Sequence, residues 1–249
     1  MKANALDLWY AFPDDFKDTA VFERRLRMLS EAEHARMQRF QFDASRREYL
    51  AAHTLARTAL SRLTSKAPES LQFRINPYGK PLLDPDCDVH FSISRRAGLV
   101  ACLVAGGREV GLDLEAYKRA GEILEVPHRV FSPPELAQLD ALDDERKRDH
   151  ALSLWTLKEA YVKARGMGFS LPLDKCSVVL HSPGDLSLEL DASLQDNAAR
   201  WRFCLLDYAA HRVALVIDAP QEPQVQMWEM RPSEDRSLQD VAQRWFPRG

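Results

Sequence analysis

The sequence predicts an α+β fold made of two similar halves, each a small antiparallel sheet packed with helices. Segments of strand-like alternation and of helix-like periodicity follow one another along the whole chain. The apolar pattern of Phe91–Val104 returns at Phe203–Val216, 112 residues later, and Tyr49 falls on Tyr161 at the same offset. A repeat at one fixed offset indicates that one folding unit is duplicated.

The boundary between the halves is expected near Gly106-Gly107, which divides the chain into residues 1–107 and 108–249. Leu6–Leu8 echoes Leu112–Leu114 at an offset of 106, and this echo predicts the first strand of each half. The boundary shows no flexible linker, so we expect the halves to pack as one body.

The elements of the first half follow from local patterns. Ser30-Glu-Ala-Glu33 is a capping box, in which the Ser and Glu side chains satisfy backbone N–H groups at a helix start. The other expected elements are a strand at 5–11, a helix at about 44–62, a strand at 73–75, a turn at 76–79 and a hairpin of strands 89–93 and 99–105.

The second half opens on a strand around Gly111–Glu115. Ser132-Pro-Pro-Glu135 is another capping box, with proline at the first helical position. A charged stretch then leads into a long helix at about 150–165. The remaining expected elements are strands at 176–180, 186–190, 200–206 and 212–218, and a tail at 220–249 with a short helix near 237–245.

Composition limits the class of protein. The 249 residues carry 34 Lys and Arg against 37 Asp and Glu, so no basic field favours nucleic acid. The four cysteines are scattered without a Cys-x-x-Cys pair, which favours a reducing cytosol over a zinc site or a disulfide framework. No apolar run reaches membrane length and the N-terminus lacks a signal pattern. We expect a cytoplasmic monomer with no nucleic-acid or membrane partner.

Four residues point to a chemical site. Asp113 and Glu115 lie two residues apart on a strand and therefore share one face. Glu159 and Lys163 lie four residues apart and share one face of a helix. Taken alone, such a Glu/Lys pair is usually solvated and such an acidic pair usually lies on an exposed strand face. Here the acids sit in an apolar context, where like charges are costly unless a cation lies between them. Together they suit a hard divalent cation and a phosphate.

The two motifs resemble a known signature. Gly111-Leu-Asp-Leu-Glu115, followed about forty residues later by Trp155-x-x-Lys-Glu-Ala-x-x-Lys-Ala-x-Gly-x-Gly168, is similar to the signature of the 4'-phosphopantetheinyl transferases, in their larger, surfactin-type subgroup. The resemblance covers roughly residues 36–180. It implies two related halves with coenzyme A in the cleft between them. It also implies magnesium-dependent transfer of the phosphopantetheine arm to a serine of an apo acyl or peptidyl carrier protein, with release of 3',5'-ADP.

The resemblance also implies roles for the site residues. Asp113, Glu115 and Glu159 match the family's magnesium ligands, and Lys163 would neutralise pyrophosphate charge. Either Glu159 or a metal-bound water is the candidate base for the serine hydroxyl. The surface following Phe131 is the expected docking site for the carrier protein.

The other residues of the helix motif have structural interpretations. We expect Trp155 to be a packing residue and Lys158, which points elsewhere on the helix, to be solvated. Gly166 and Gly168 are expected to end the helix and to let the chain turn sharply.

A basic set in the first half suits the phosphates of coenzyme A: Arg46, Arg47, Lys80, Ser94, Arg95 and Arg96. Arginine binds phosphate through two parallel N–H groups, although a helical arginine pair is as often simply solvated. Lys80 lies in Tyr78–Pro81, which resembles the family's Gly-Lys-Pro turn. Arg95 stands where the family usually has histidine, and Ser92 where it has asparagine, so the histidine's role does not carry over.

A second class of function is a non-catalytic coenzyme A or nucleotide-binding module that retains these motifs. The three acids and Lys163 are all present. A module that only binds has no need of all four, so they favour the enzyme.

Overall fold

The structure is a computed structural model and describes residues 5–83, 87–125, 130–182, 185–231, 235–238 and 244–246. The helices are α1 (Thr19–Leu26), α2 (Glu31–Gln38), α3 (Asp43–Thr64), α4 (Ala120–Ile123), α5 (Pro133–Asp140) and α6 (Asp144–Arg165). The strands are β1 (Ala5–Ala11), β2 (Phe73–Ile75), β3 (Pro81–Leu83), β4 (Val89–Arg96), β5 (Leu99–Gly106), β6 (Val110–Ala116), β7 (Cys176–Ser182), β8 (Asp185–Leu190), β9 (Trp201–Tyr208), β10 (His211–Asp218), β11 (Gln224–Met230), β12 (Asp235–Leu238) and β13 (Arg244–Phe246). None of the described helices is long and apolar enough to cross a membrane.

The chain forms two compact units. The first comprises the described residues of 1–75, 81–108 and 223–241, and the second those of 76–80, 109–222 and 242–249. In the first unit the described strands of the main sheet run in the order β12-β11-β1-β5-β4, and α3 packs on this sheet. The buried face of α3, which includes Leu50, Leu55 and Leu60, supplies much of the core.

The second unit repeats this arrangement. Its main sheet runs β13-β9-β10-β6, and the buried face of α6, which includes Leu154 and Leu157, packs on it. The helix begins at Asp143, whose side chain accepts a hydrogen bond from the N–H of Arg146. The charged stretch that the sequence placed before the helix therefore forms its first turns, because a capped start satisfies the N–H groups there.

The prediction of two similar halves is confirmed by the hairpins. The strands β4 and β5 and the strands β9 and β10 have the same bounds shifted by 112 residues. Each hairpin turns through two residues with positive φ, Ala97 and Gly98 in the first unit and Ala209 and Ala210 in the second. Two successive positive φ values mark the turn that matches the twist of paired strands.

Strand register corrects the alignment of the first strands. Val104 of β5 pairs with Asp7 of β1. Its repeat on β10, Val216, pairs with Gly111 of β6. The offset is therefore 104 rather than 106, and Trp9 rather than Asp7 corresponds to Asp113. Because the shift is even, the side chains keep their faces. The second half alone carries an acid at this position.

The two units differ from the predicted division of the chain at residue 107 in two segments. β11 pairs in parallel with β1 of the first unit, and Asn76–Lys80 packs with the second. Part of the expected tail is therefore a strand of the main sheet. By pairing with β1, β11 covers an edge of that strand that would otherwise be open. Of the expected short helix near 237–245, residues 237–238 and 244–245 belong to strands, and residues 239–243 lie outside the described residues.

Candidate active site

Strand β6 carries the two predicted acids into the interior of the second unit. Its seven residues are all buried, and Asp113 and Glu115 are 5% and 1% exposed. They alternate with Leu112 and Leu114, so both carboxylates lie on one face of the strand and the leucines on the other. Two buried carboxylates need compensating charge.

Helix α6 packs directly on the acidic face of β6 because Gly111 has no side chain. A Cβ added to Gly111 would lie 1.8 Å from the carbonyl oxygen of Ala160 and 2.5 Å from the backbone nitrogen of Ala164. No other residue fits at this contact. The glycine of the strand motif therefore lets the helix motif approach.

The two motifs meet through their side chains. Lys163 Nζ donates a hydrogen bond to Asp113 Oδ1 at 2.6 Å, and Trp155 Nε1 donates to Glu115 Oε1 at 3.0 Å. Glu159 lies on the same face of α6, halfway between these two contacts and about 6 Å along the helix axis from each. The interpretation of Trp155 as packing alone is wrong, because its indole holds one of the acids.

Sequence reasoning missed Arg119. This residue follows β6 in a short 3-10 turn, and its Nη1 donates to both Oε1 and Oε2 of Glu115 at 2.7 Å. Its Nε donates to Glu122 Oε2 at 2.9 Å. Burial disfavours the arginine's charge, but the hydrogen bonds to Glu115 and Glu122 outweigh it and raise the arginine's pKa. Among the described residues, no three His, Cys, Asp or Glu side chains are gathered as a metal cluster.

Lys158 is not solvated, contrary to expectation. Its Nζ lies 2.5 Å from Glu135 Oε2, and both side chains are fully buried. Glu135 also accepts hydrogen bonds from the backbone N–H groups of Ser132 and Val178, each at 2.7 Å. The expected capping box at Ser132 is thus confirmed, and its glutamate also ties α5 to α6 and β7.

The turn that contains Lys80 packs against the end of α6. Lys80 Nζ donates to the carbonyl oxygen of Ala164 at 2.9 Å, and Asn76 Nδ2 donates to that of Gly166 at 2.7 Å. Gly166 ends the helix with a φ of 61°, and an added Cβ would lie 2.7 Å from Lys80 Cδ. Burial lowers the pKa of Lys80. Lys80 therefore belongs with the second unit and not with the arginines of the first.

Two of the predicted arginines, Arg46 and Arg95, contact Phe40 in the first unit. Arg46 Nε donates to the carbonyl oxygen of Phe40 at 2.9 Å, and its Nη1 donates to Asp43 Oδ1 at 3.0 Å. The guanidinium of Arg95 lies over the ring of Phe40, 5.7 Å from its centre. Both arginines therefore contact Phe40, Arg46 at its backbone carbonyl and Arg95 at its ring.

Of the other predicted phosphate ligands, Arg47 shares a cavity with Arg46 and Ser94 faces away from Arg95. Arg47 and Arg46 line a cavity of about 540 Å³, whose wall includes Phe22 and Met37. Ser94 precedes Arg95 on β4 and so points to the opposite face of the sheet, where it is 6% exposed. The predicted basic set does not form one cluster, because strand alternation and the placement of Lys80 divide it.

Two family models match the chain in successive ranges. The model of the 4'-phosphopantetheinyl transferase superfamily matches residues 109–216, and that of the N-terminal region of these transferases matches residues 16–106. These ranges take in the paired acids, the motif of α6 and the duplicated hairpins.

Curated relatives carry the same family name. 4'-Phosphopantetheinyl transferase Sfp of Bacillus subtilis (strain 168) is 33% identical over 69% of this chain and 75% of its own length. Transferase HetI of a Nostoc species is 33% identical over 57% of this chain and 61% of its own. A crystal structure of a holo-(acyl-carrier-protein) synthase from Bacillus anthracis aligns with 44% of this chain and 93% of its own, at a TM-score of 0.36 and 19% identity.

The chain belongs to the 4'-phosphopantetheinyl transferase family. The family that its motifs resemble, and the enzyme class, are confirmed.

Proposed function

We propose that this transferase moves the 4'-phosphopantetheine arm of coenzyme A to a serine of an apo acyl or peptidyl carrier protein and releases 3',5'-ADP. The observation that carries the proposal is the contact between the acids of β6 and the Glu159/Lys163 face of α6. It lies inside the matched family region, and it suits transfer of a phosphoryl group, where charge stabilisation and positioning dominate.

Magnesium is the proposed cofactor, with Asp113, Glu115 and Glu159 as ligands. The fit is one of donor chemistry, because magnesium prefers carboxylate oxygens, while the described residues form no ready cluster of three such side chains. Lys163 and Arg119 neutralise the two buried acids. A cation bound at the site would supply the same positive charge. When bound, the ion would neutralise charge on the pyrophosphate.

The reaction forms a bond between the serine oxygen and the β-phosphorus and breaks the bond from that phosphorus to the oxygen that leaves with 3',5'-ADP. Glu159, which is half-buried, accepts the proton of the serine hydroxyl in this proposal. Lys163 stabilises charge on the leaving side, since its side chain is 30% exposed and its ammonium is already at the acids.

A role in binding coenzyme A is proposed for the five predicted residues Arg46, Arg47, Lys80, Ser94 and Arg95. Arg46 and Arg95 have the best support, because both guanidinium groups contact the same residue, Phe40, at its carbonyl oxygen and its ring. Lys80 has the least, because its ammonium donates to a backbone carbonyl of α6.

We also propose that the protein acts as a cytoplasmic monomer without a nucleic-acid or membrane partner. The duplication supplies both related halves in one chain, which supports the monomer. Light scattering should give the mass of one chain, and a stable mass of two chains would contradict this part of the proposal.

The function is tested by mass spectrometry of apo carrier proteins after incubation with the enzyme, coenzyme A and magnesium. We expect the mass of one phosphopantetheine to be added, and we expect excess chelator to abolish the addition without unfolding the enzyme. Acyl and peptidyl carriers should be tested together. If every carrier stays unmodified while calorimetry detects binding of coenzyme A, the protein is a binding module.

A further inference from the structure

We propose that Arg119 is a displaceable counter-ion of the metal site. It neutralises Glu115 in the metal-free protein and moves to Glu122 when a divalent cation takes Glu115. Arg119 thereby lowers and sets the affinity of the site for its metal. The inference rests on the proposed function for the choice of Glu115 as a ligand.

The hydrogen bonds of Glu115 show why the arginine and a metal compete. Glu115 Oε1 accepts from both Arg119 Nη1 and Trp155 Nε1, which uses both lone pairs of that oxygen. Oε2 also accepts from Arg119 Nη1, at 2.7 Å. A cation about 2.0–2.1 Å from either oxygen would lie against a guanidinium of the same charge sign. The contact of Glu115 with Arg119 and the binding of a metal by Glu115 therefore oppose each other.

Glu115 cannot do without a cation. Its side chain is 2% exposed, and a buried carboxylate without compensating charge is strongly destabilising. A counter-ion supplied by the chain therefore keeps the metal-free protein folded. Lys163 does the same for Asp113, so each acid of β6 has its own cation.

Glu122 is a second carboxylate partner of Arg119. Arg119 Nε already donates to Glu122 Oε2 at 2.9 Å, and Glu122 is 64% exposed at the start of α4. The side chain of Arg119 is 24% exposed. It can rotate away from Glu115 while it keeps a charged partner and gains contact with water. The exchange needs no movement of β6 or α6.

The test is calorimetric titration of the full chain with MgCl₂ and separately with MnCl₂, in the absence of coenzyme A. Arg119→Gln keeps a hydrogen-bond donor and removes the charge. It should tighten the dissociation constant for the metal by about tenfold or more, the factor that corresponds to about 1.4 kcal/mol. Lys118→Gln is the matched control, because it removes the same charge from an exposed side chain of the same turn. It should change the constant by less than about twofold.

Thermal unfolding gives a second measure. In chelator, Arg119→Gln should melt below the wild type, because Glu115 has lost its counter-ion. Saturating magnesium should raise the melting temperature of this variant by more than it raises that of the wild type.

An unchanged or weaker metal affinity in Arg119→Gln overturns the inference and makes Arg119 a permanent partner of Glu115. Equal tightening in Lys118→Gln also overturns it, because nearby charge of any kind would then suffice. If Arg119→Gln does not fold, Glu122→Gln takes its place. Loss of the second carboxylate should weaken metal binding several-fold, and unchanged binding would count against the exchange.

Carrier modification by the wild type separates the two proposals. A wild type that modifies carriers, together with unchanged metal affinity in Arg119→Gln, rejects only the counter-ion. Tighter metal binding in the variant, with no carrier modified by the wild type, rejects only the proposed function.

Discussion

Asp113 is the single residue whose loss most directly disables the proposed site. Asp113→Ala removes a proposed magnesium ligand and one partner of Lys163, whose side chain is already 30% exposed. The turnover number should fall about a hundredfold or more, while the melting temperature moves by only a few degrees. Asp174→Ala, an exposed acid of the same unit, is the control for both measurements. Near-normal turnover in Asp113→Ala would make Asp113 a structural partner of Lys163.

Gly111 tests whether the close approach of α6 to β6 is required. Gly111→Ala places a Cβ against the backbone of Ala160, which cannot give way, so the helix has to shift. The free energy of unfolding in urea should fall by about 3 kcal/mol, with a large loss of transfer activity. Gly121→Ala is the control, because its added Cβ would meet nothing within 4 Å. Equal stability of the two variants would show that the contact at Gly111 is not tight.

Some site residues were predictable from sequence and others were not. Strand alternation and helical spacing are local, so they placed Asp113 with Glu115 and Glu159 with Lys163. The pairing of Arg119 with Glu115 depends on how the 3-10 turn folds back, and no spacing rule covers a strand followed by a turn. Which residues cover Lys158 is likewise a matter of tertiary packing.

At the scale of elements, the buried pair of Lys158 and Glu135 fastens α5, α6 and β7 together. Lys158→Met removes the ammonium that neutralises Glu135. This substitution should lower the free energy of unfolding by about 3–5 kcal/mol. Lys158→Met combined with Glu135→Gln should recover part of that loss, because no uncompensated charge remains. Urea unfolding of both variants measures the difference. A single variant that costs less than about 1 kcal/mol would contradict this account of the pair.

Glu33 joins α2 to α3 and should make the first unit sensitive to acid. Burial opposes its ionisation, but hydrogen bonds from His53, Arg57 and Ser30 outweigh burial and lower its pKa to about 2. The stabilisation is present above the ordinary carboxyl pKa and is lost as pH falls from about 4.5 towards 2; it amounts to at most about 3 kcal/mol.

Urea unfolding at pH 7 and pH 3 checks this prediction. Glu33→Gln should be less stable than the wild type at pH 7, and the gap should narrow at pH 3. Glu31→Gln, an exposed neighbour in the same helical turn, is the control. A gap of the same size at both values would mean that Glu33 acts through shape and not through charge.

Element starts were more predictable than element partners. The capping boxes at Ser30 and Ser132 marked the starts of α2 and α5, because capping is decided within four residues. The strand β11 was taken for part of a tail because its partner β1 lies more than two hundred residues away in sequence. No local pattern reports such a pairing.

At the scale of the whole molecule, duplication has left the two halves with different chemistry. Trp9 stands where Asp113 stands in the repeat, so the first half lacks the acidic pair. We propose that two of its arginines, Arg46 and Arg95, bind the 3'-phosphate of coenzyme A. The absence of an acidic pair from the first half was predictable from the motifs, whereas the place of Lys80 was not, since its partner Ala164 lies 84 residues away on α6.

The 3'-phosphate contact is tested with the double variant Arg46→Ala/Arg95→Ala. The Michaelis constant for coenzyme A should rise about tenfold or more with little change in turnover, because a remote contact binds ground state and transition state alike. The variant should also lose the wild type's preference over 3'-dephospho-coenzyme A. Arg74→Ala is the control, since Arg74 is an exposed arginine of the first unit. If the double variant keeps the wild type's preference for coenzyme A over 3'-dephospho-coenzyme A, Arg47 becomes the candidate ligand of the 3'-phosphate.

The most direct test of the proposed centre is a crystal structure with coenzyme A and magnesium bound. The ion should lie about 2.0–2.1 Å from carboxylate oxygens of Asp113, Glu115 and Glu159, with the guanidinium of Arg119 moved from Glu115 to Glu122. Magnesium bound elsewhere, with Lys163 still on Asp113 and Arg119 still on Glu115, would contradict the metal site assigned to β6 and α6.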